Sequence, residues 1–158
     1  MKSNFTSTLL LCASGVVAVL ASAAPAQASD KTDVVAVVKK FTADYNKGDT
    51  KAVIGACAAQ AVIVDDFAPY VWQGASACSD WLAADAANNQ QIGSTNGKIL
   101  LGKALHVDVT GDHAYVVVPV KYSDVEKGKK TVQSAVWTLT LGKSASGWSI
   151  AGTAWADR

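Results

Sequence analysis

Ala61-Val-Ile-Val-Asp-Asp-Phe-Ala-Pro-Tyr-Val-Trp-Gln-Gly74 is the stretch from which the rest of the chain is best read. It opens as a short apolar run with the length and composition of a strand, then stops on two adjacent carboxylates, Asp65 and Asp66. A turn around Pro69 follows, then Tyr70, Trp72 and Gly74. Packing does not call for two acids at the end of an apolar run. Side chains alternate along a strand, so a continuing strand would send Asp65 and Asp66 to opposite faces. One would meet solvent, and the other would meet whatever the strand covers, with the two aromatic residues close by. A binding or chemical site is expected here. The plainer alternative is that both acids cap the turn before Pro69 by accepting backbone N–H groups.

Upstream, Val34, Val35, Val37, Val38, Phe41 and Tyr45 fall on one broad helical stripe, with Lys39, Lys40 and Asp44 off it. A helix is predicted over residues 31–45, stopped by Asn46-Lys-Gly48, with Asp49 placed to cap a second, small-residue helix over 50–59. Downstream, a third helix is predicted over 74–88, with Cys78, Trp81, Leu82 and Ala86 facing inward, and then a polar loop over 88–97. From there the pattern becomes strand-like over 99–109, 114–122, 131–141 and 148–155. Gly111-Asp112 makes a tight turn between the first two of these, and 123–130 reads as a charged hairpin loop. Helices followed by an antiparallel meander argue an α+β fold, with the helices on one face of a curved sheet.

Residues 1–28 read as a cleaved signal peptide. Lys2 gives a basic start, 9–20 an apolar core, and Ala26-Gln-Ala28 a small-residue cleavage site. The core is short of the roughly 20 residues that a spanning helix needs, and Leu11 before Cys12 suits a lipoprotein signal poorly. One mature domain, 29–158, is therefore expected in the periplasm or secreted, with no membrane association after cleavage. Without Lys2, its 14 basic residues become 13, equal to its 13 acidic ones. Its only Arg is Arg158, so nucleic acid and polyanions are poor candidate partners. Two cysteines remain, Cys57 and Cys78, and an even count in an exported chain reads as one disulfide, the alternative being two buried thiols. These two Cys with His106 and His113 are too few and too scattered for a metal site, and no cofactor is expected. His106 and Asp108 share a strand face, but Leu105, Val107 and Val109 claim the core face, so the pair is expected in solvent.

Tyr45-Asn-Lys-Gly-Asp49, the small-residue helix after it, Ala61-Val-Ile-Val-Asp65, Trp72-Gln-Gly74 and Gly147-Trp-Ser-Ile150 together resemble the nuclear transport factor 2-like superfamily, in its SnoaL-like and ketosteroid-isomerase-like branch. The resemblance spans residues 31–156 and rests on the order of the pieces. It implies a cone-shaped, cystatin-like fold: a curved antiparallel sheet wrapped around three N-terminal helices, with an apolar pocket at the open end. It also implies homodimers formed through the sheet. Activity does not follow from this fold, which serves isomerases, cyclases, dehydratases and pure binding domains. Residue by residue, Asp65 falls on the general-base position of the ketosteroid isomerases. Phe41 and Trp137 fall on the positions that supply the oxyanion donors, so steroid isomerisation is not expected. The epoxide-hydrolase pattern needs an internal Arg, which the chain lacks.

Three functions follow as expectations. The first is binding of a small apolar or aromatic ligand by Phe41, Tyr45, Asp66, Tyr70, Trp72, Trp81 and Trp137 around Asp65. The second is an isomerase- or cyclase-like enzyme with Asp65 as general base. The third is a structural or partner-binding domain whose cone is plugged by Trp72 and Trp137.

Overall fold

The computed structural model describes residues 24–158, with side chains from residue 29 onward. Most of the segment expected to be a cleaved signal lies outside the described residues. The first helix, α1, runs Ala24–Lys47. Val34, Val38 and Phe41 recur on its buried face, as the stripe predicts, but Thr42 and Asp44 are buried too. Asp44 was expected off the stripe. Its charge is matched there by Lys40, whose Nζ lies 2.6 Å away. Gly48 at φ +75° ends the helix, where a side chain would be strained. Asp49 then caps α2, Thr50–Gly55, by accepting the Ala52 N–H at 3.0 Å.

The α2 helix stops four residues short of the predicted end. Cys57 already belongs to the first strand, β1, Cys57–Val64, and pairs with Ile150. Sheet pairing has overridden the helix propensity of the Ala-rich segment. A turn leads to β2, Val71–Gly74, and closes with the Asp65 N–H donating to the Tyr70 carbonyl at 3.0 Å. The third helix, α3, is Ala77–Ile92, so it occupies half of the predicted polar loop before Gly93 at φ +74° caps it.

The remaining strands are β3 (Ser94–Leu101), β4 (His106–Thr110), β5 (His113–Glu126), β6 (Lys129–Ser144) and β7 (Gly147–Asp157). The single strand predicted over 99–109 is two. β3 pairs with the second half of β5 and β4 with its first half. The predicted 123–130 loop is mostly ladder: β5 and β6 stay paired down to Glu126 and Lys129, around a turn at Lys127-Gly128. Both turn residues have positive φ, which suits a two-residue hairpin.

The sheet order is β2-β1-β7-β6-β5-β3, with β4 also on β5. Every pairing is antiparallel except β1 with β7, so the curved sheet is mixed. The helices cover one face: α1 meets β3, β4 and β7, and α3 meets β1, β2 and β3. The core lies between, centred on Phe41, Leu139, Leu141 and Ile150, each at most 1% exposed. Cys57 and Cys78 form a disulfide that ties the start of β1 to α3, with Cα atoms 6.6 Å apart. His106 and Asp108 are exposed, as the alternation at Val107 and Val109 predicts, and so is His113 at the turn; Leu105, expected on the core face, precedes β4 and is 67% exposed. Among the described residues no helix is long and apolar enough to cross a membrane.

Candidate functional site

Between the helices and the sheet lies an open cavity of about 370 Å³. Its apolar walls come from the same stripes that build the core. Phe41 and Tyr45, one turn apart on α1, both pack against Trp81 of α3, with ring centroids 6.3 and 5.8 Å away. Trp137 on β6 closes the deep end, 5.6 Å from Phe41 and 6.3 Å from Trp155 of β7. Trp137 therefore lines the cone without plugging it, and a cavity stands beside Asp65.

Asp65 and Asp66 both line this cavity. The expected division between two faces fails because β1 ends at Val64 and the two acids sit in the turn, where strand alternation no longer applies. Asp65 is half-buried and held at both oxygens. Oδ2 accepts the Trp81 indole N–H at 2.7 Å, and Oδ1 accepts the Asp66 backbone N–H at 2.9 Å. Burial pushes its carboxyl up to about 6; the Trp81 and Asp66 N–H donors oppose this, while the Asp66 charge adds to it. Asp66 stands at the exposed mouth and accepts from Gln133 Nε2 at 3.2 Å. Partial removal from water raises its pKa, with the charge of Asp157 next in weight.

Two expected site residues lie elsewhere. Tyr70 is 57% exposed at φ +71°, in the turn on the far side of Pro69. Trp72 is buried, but against Phe67, with ring centroids 5.2 Å apart. Phe67 stands between it and the cavity, which it lines in the place expected for Trp72.

The sequence reading passed over Asp85 and Asp124. Asp85 lies four residues after Trp81 and seven after Cys78, on the inward stripe of α3, whereas Ala86, expected inward, is exposed. A charge on an apolar stripe was the available signal. Its Oδ2 accepts the Tyr45 hydroxyl at 2.9 Å and Oδ1 accepts Asn89 Nδ2 at 3.1 Å. Burial raises the Asp85 carboxyl; those two donors counter it and the Asp66 charge reinforces it. Burial and the Asp85 charge together hold the Tyr45 phenol well above its ordinary value, so it stays a donor. Asp124 is buried on β5, where it accepts from the hydroxyls of Ser94 and Thr131.

The arrangement is thus a concave aromatic chamber with carboxylates on its walls. A family model for the SnoaL-like domain matches residues 34–153. The chain belongs to the SnoaL-like family. Solved structures agree on the fold. An NTF2-like family protein from Streptomyces avermitilis superposes with a TM-score of 0.71 at 19% identity, over 84% of this chain and 98% of that one. An NTF2-like protein with a cystatin-like fold from Novosphingobium aromaticivorans gives 0.67 at 16% identity, over 82% of each chain. A ketosteroid isomerase-like protein from Erwinia carotovora gives 0.65 at 16% identity, over 81% of this chain and 95% of that one. No curated protein matches the chain. At these identities the likeness establishes the SnoaL-like cone and leaves the chemistry to the site itself.

Proposed function

We propose that this SnoaL-like domain is an exported protein that binds a small, flat, largely apolar molecule in its cone. The observation that carries the reading is the open chamber of about 370 Å³ walled by Phe41, Trp81, Trp137 and Trp155 beside a half-buried Asp65. A few oriented polar groups in an aromatic cavity are what a small-molecule site requires. The Cys57–Cys78 bond supports residence in an oxidising compartment, periplasmic or secreted, in line with the signal-like residues 1–28. The half-exposed outer surface of the sheet, with Tyr115 and Val132, supports a homodimer through that face.

The five tryptophans make the test internal. Trp81, Trp137 and Trp155 line the cavity, while Trp72 and Trp148 do not. In an NMR screen of soluble aromatic fragments, binders should move the first three indole N–H signals and leave the other two in place. Shifts confined to Trp72 and Trp148, or a screen with no binder, would refute the cavity reading.

One observation favours catalysis as a second reading. A carboxylate with its pKa near 6, fixed at both oxygens, is suited to take a proton next to a carbonyl. Only ionised Asp65 can act as a base, so turnover of a ketone or enol substrate should rise with pH through about 6 and level off above it. Asp65→Asn should abolish that turnover with the fold intact; unchanged turnover would sink the enzyme reading. The usual donors to an enolate oxygen are replaced by Phe41 and Trp137 side chains, which disfavours classical steroid isomerisation.

A further inference from the structure

The cavity is one-sided in charge. Asp65, Asp66, Asp85, Asp124 and Glu126 all contribute to its lining, and no Lys, Arg or His among the described residues does. The domain as a whole is formally neutral, with 13 basic and 13 acidic residues once Lys2 is set aside, so the imbalance belongs to the cavity. Among the described residues none of the four aspartates is in an ion pair; Glu126 meets only the exposed Lys127, at 3.8 Å. Their hydrogen bonds come from neutral donors: an indole, a phenol, amides and hydroxyls. Such donors orient a carboxylate but do not cancel its charge. Withdrawing several like charges from water without a counter-charge is costly, and a bound cation would relieve it.

The geometry also says what kind of cation. No three of these acids come together in an arrangement that could hold a metal ion, among the described residues. They are spread instead along a chamber whose other walls include the rings of Phe41, Tyr45, Trp81, Trp137 and Trp155. Tyr45 and Trp81 donate from their ring edges to Asp85 and Asp65, and all four residues line the cavity, so aromatic rings and carboxylates serve the same volume. Aromatic rings beside acids suit an organic ammonium, which a ring attracts through its quadrupole and a carboxylate through its charge.

We propose that the cone selects organic cations: a flat aromatic or aliphatic frame lodged among the Trp rings, carrying a protonated or quaternary amine directed at Asp65, Asp66 and Asp85. This rests on the cavity-binding reading above and narrows it to a ligand class. A neutral ligand of the same shape would gain the apolar contacts and leave the carboxylates uncompensated. An anionic one would add repulsion.

Isothermal titration of the mature protein with matched probes tests this. The probes are tryptamine, tryptophol and indole-3-acetate, together with benzyltrimethylammonium, benzyl alcohol and benzoate. The cation of each set should bind at least about tenfold more tightly than its neutral partner, with the anion weakest. In Asp66→Asn/Asp85→Asn that ratio should fall to about threefold or less. Calcium chloride at matched ionic strength should not displace tryptamine. Equal or tighter binding of tryptophol or indole-3-acetate would overturn the charge preference and leave cavity binding standing. Displacement by calcium, or an unchanged ratio in the double variant, would also overturn it. Failure of all six probes at millimolar concentration would overturn the cavity reading together with this one.

Discussion

Phe41→Ala should lower the unfolding free energy by about 3–5 kcal/mol, the largest loss expected from a single side chain. Phe41 is 1% exposed and sits where α1, α3 and β6 converge, packed at once against Trp81 and Trp137. Truncation removes the contact that separates those two indoles and enlarges a cavity the fold already keeps open. The rings are attached to three different elements, so no single movement can refill the space. Urea denaturation read by circular dichroism measures the loss, as a lower midpoint with the slope unchanged. A loss below about 1 kcal/mol would show that Trp81 and Trp137 collapse together, and that the aromatic wall is softer than its packing implies. Ligand binding should weaken in the same variant, since the wall that Phe41 supports is the wall of the site.

The second large effect concerns the disulfide. Cys57 and Cys78 are 21 residues apart, and opening a loop of that size costs about 3 kcal/mol in the chain-entropy account. For a domain of this length the melting temperature should drop by about 10 °C. The loop holds β1, the Asp65–Asp66 turn and β2, so the damage should be local as well as global. In Cys57→Ala/Cys78→Ala, hydrogen exchange should accelerate first at Ile63, Val64 and Asp65, before β5 and β6 respond. Uniform acceleration across the sheet would show that the bond braces the whole domain and not the site in particular. The intact protein should show no reactive thiol at these positions before reduction.

The α+β layout and most of its helices can be read from residue types, because the buried faces of α1 and α3 keep a helical period and those of β5 and β6 keep a period of two; the cone followed only from the family resemblance. Asp65 is legible for the same reason: an acid at the end of an apolar strand has no packing rationale. What escaped the sequence was decided over long range. The pairing of β1 with β7 takes residues 57–59 out of the predicted helix that local propensity favours, and nothing in those residues announces the partner. The division of 99–109 into two strands is set by the approach of Gly102 to Pro119, whose carbonyl accepts the Gly102 N–H at 2.8 Å. A methyl group added at Gly102 would come within 3.0 Å of that carbonyl oxygen. The misplacement of Trp72 was a question of which ring comes first: Phe67, in the turn, reaches the cavity and screens it. Asp85 was legible and passed over, because its neighbours on the α3 stripe are apolar.

The parallel contact between β1 and β7 also sets an order of events. β1 carries the site turn at its end, and β7 is the last strand in the sequence. Until β7 is in place, β1 has only the four-residue β2 beside it, and the wall that holds Thr153 and Trp155 does not exist. The chamber therefore cannot form piecemeal as the chain is laid down. Its two ends must meet across almost the full length of the domain, the kind of closure that makes folding slow. A chain cut short before β7 would keep α1, α2 and α3 and all five acids that line the chamber, and still have no chamber.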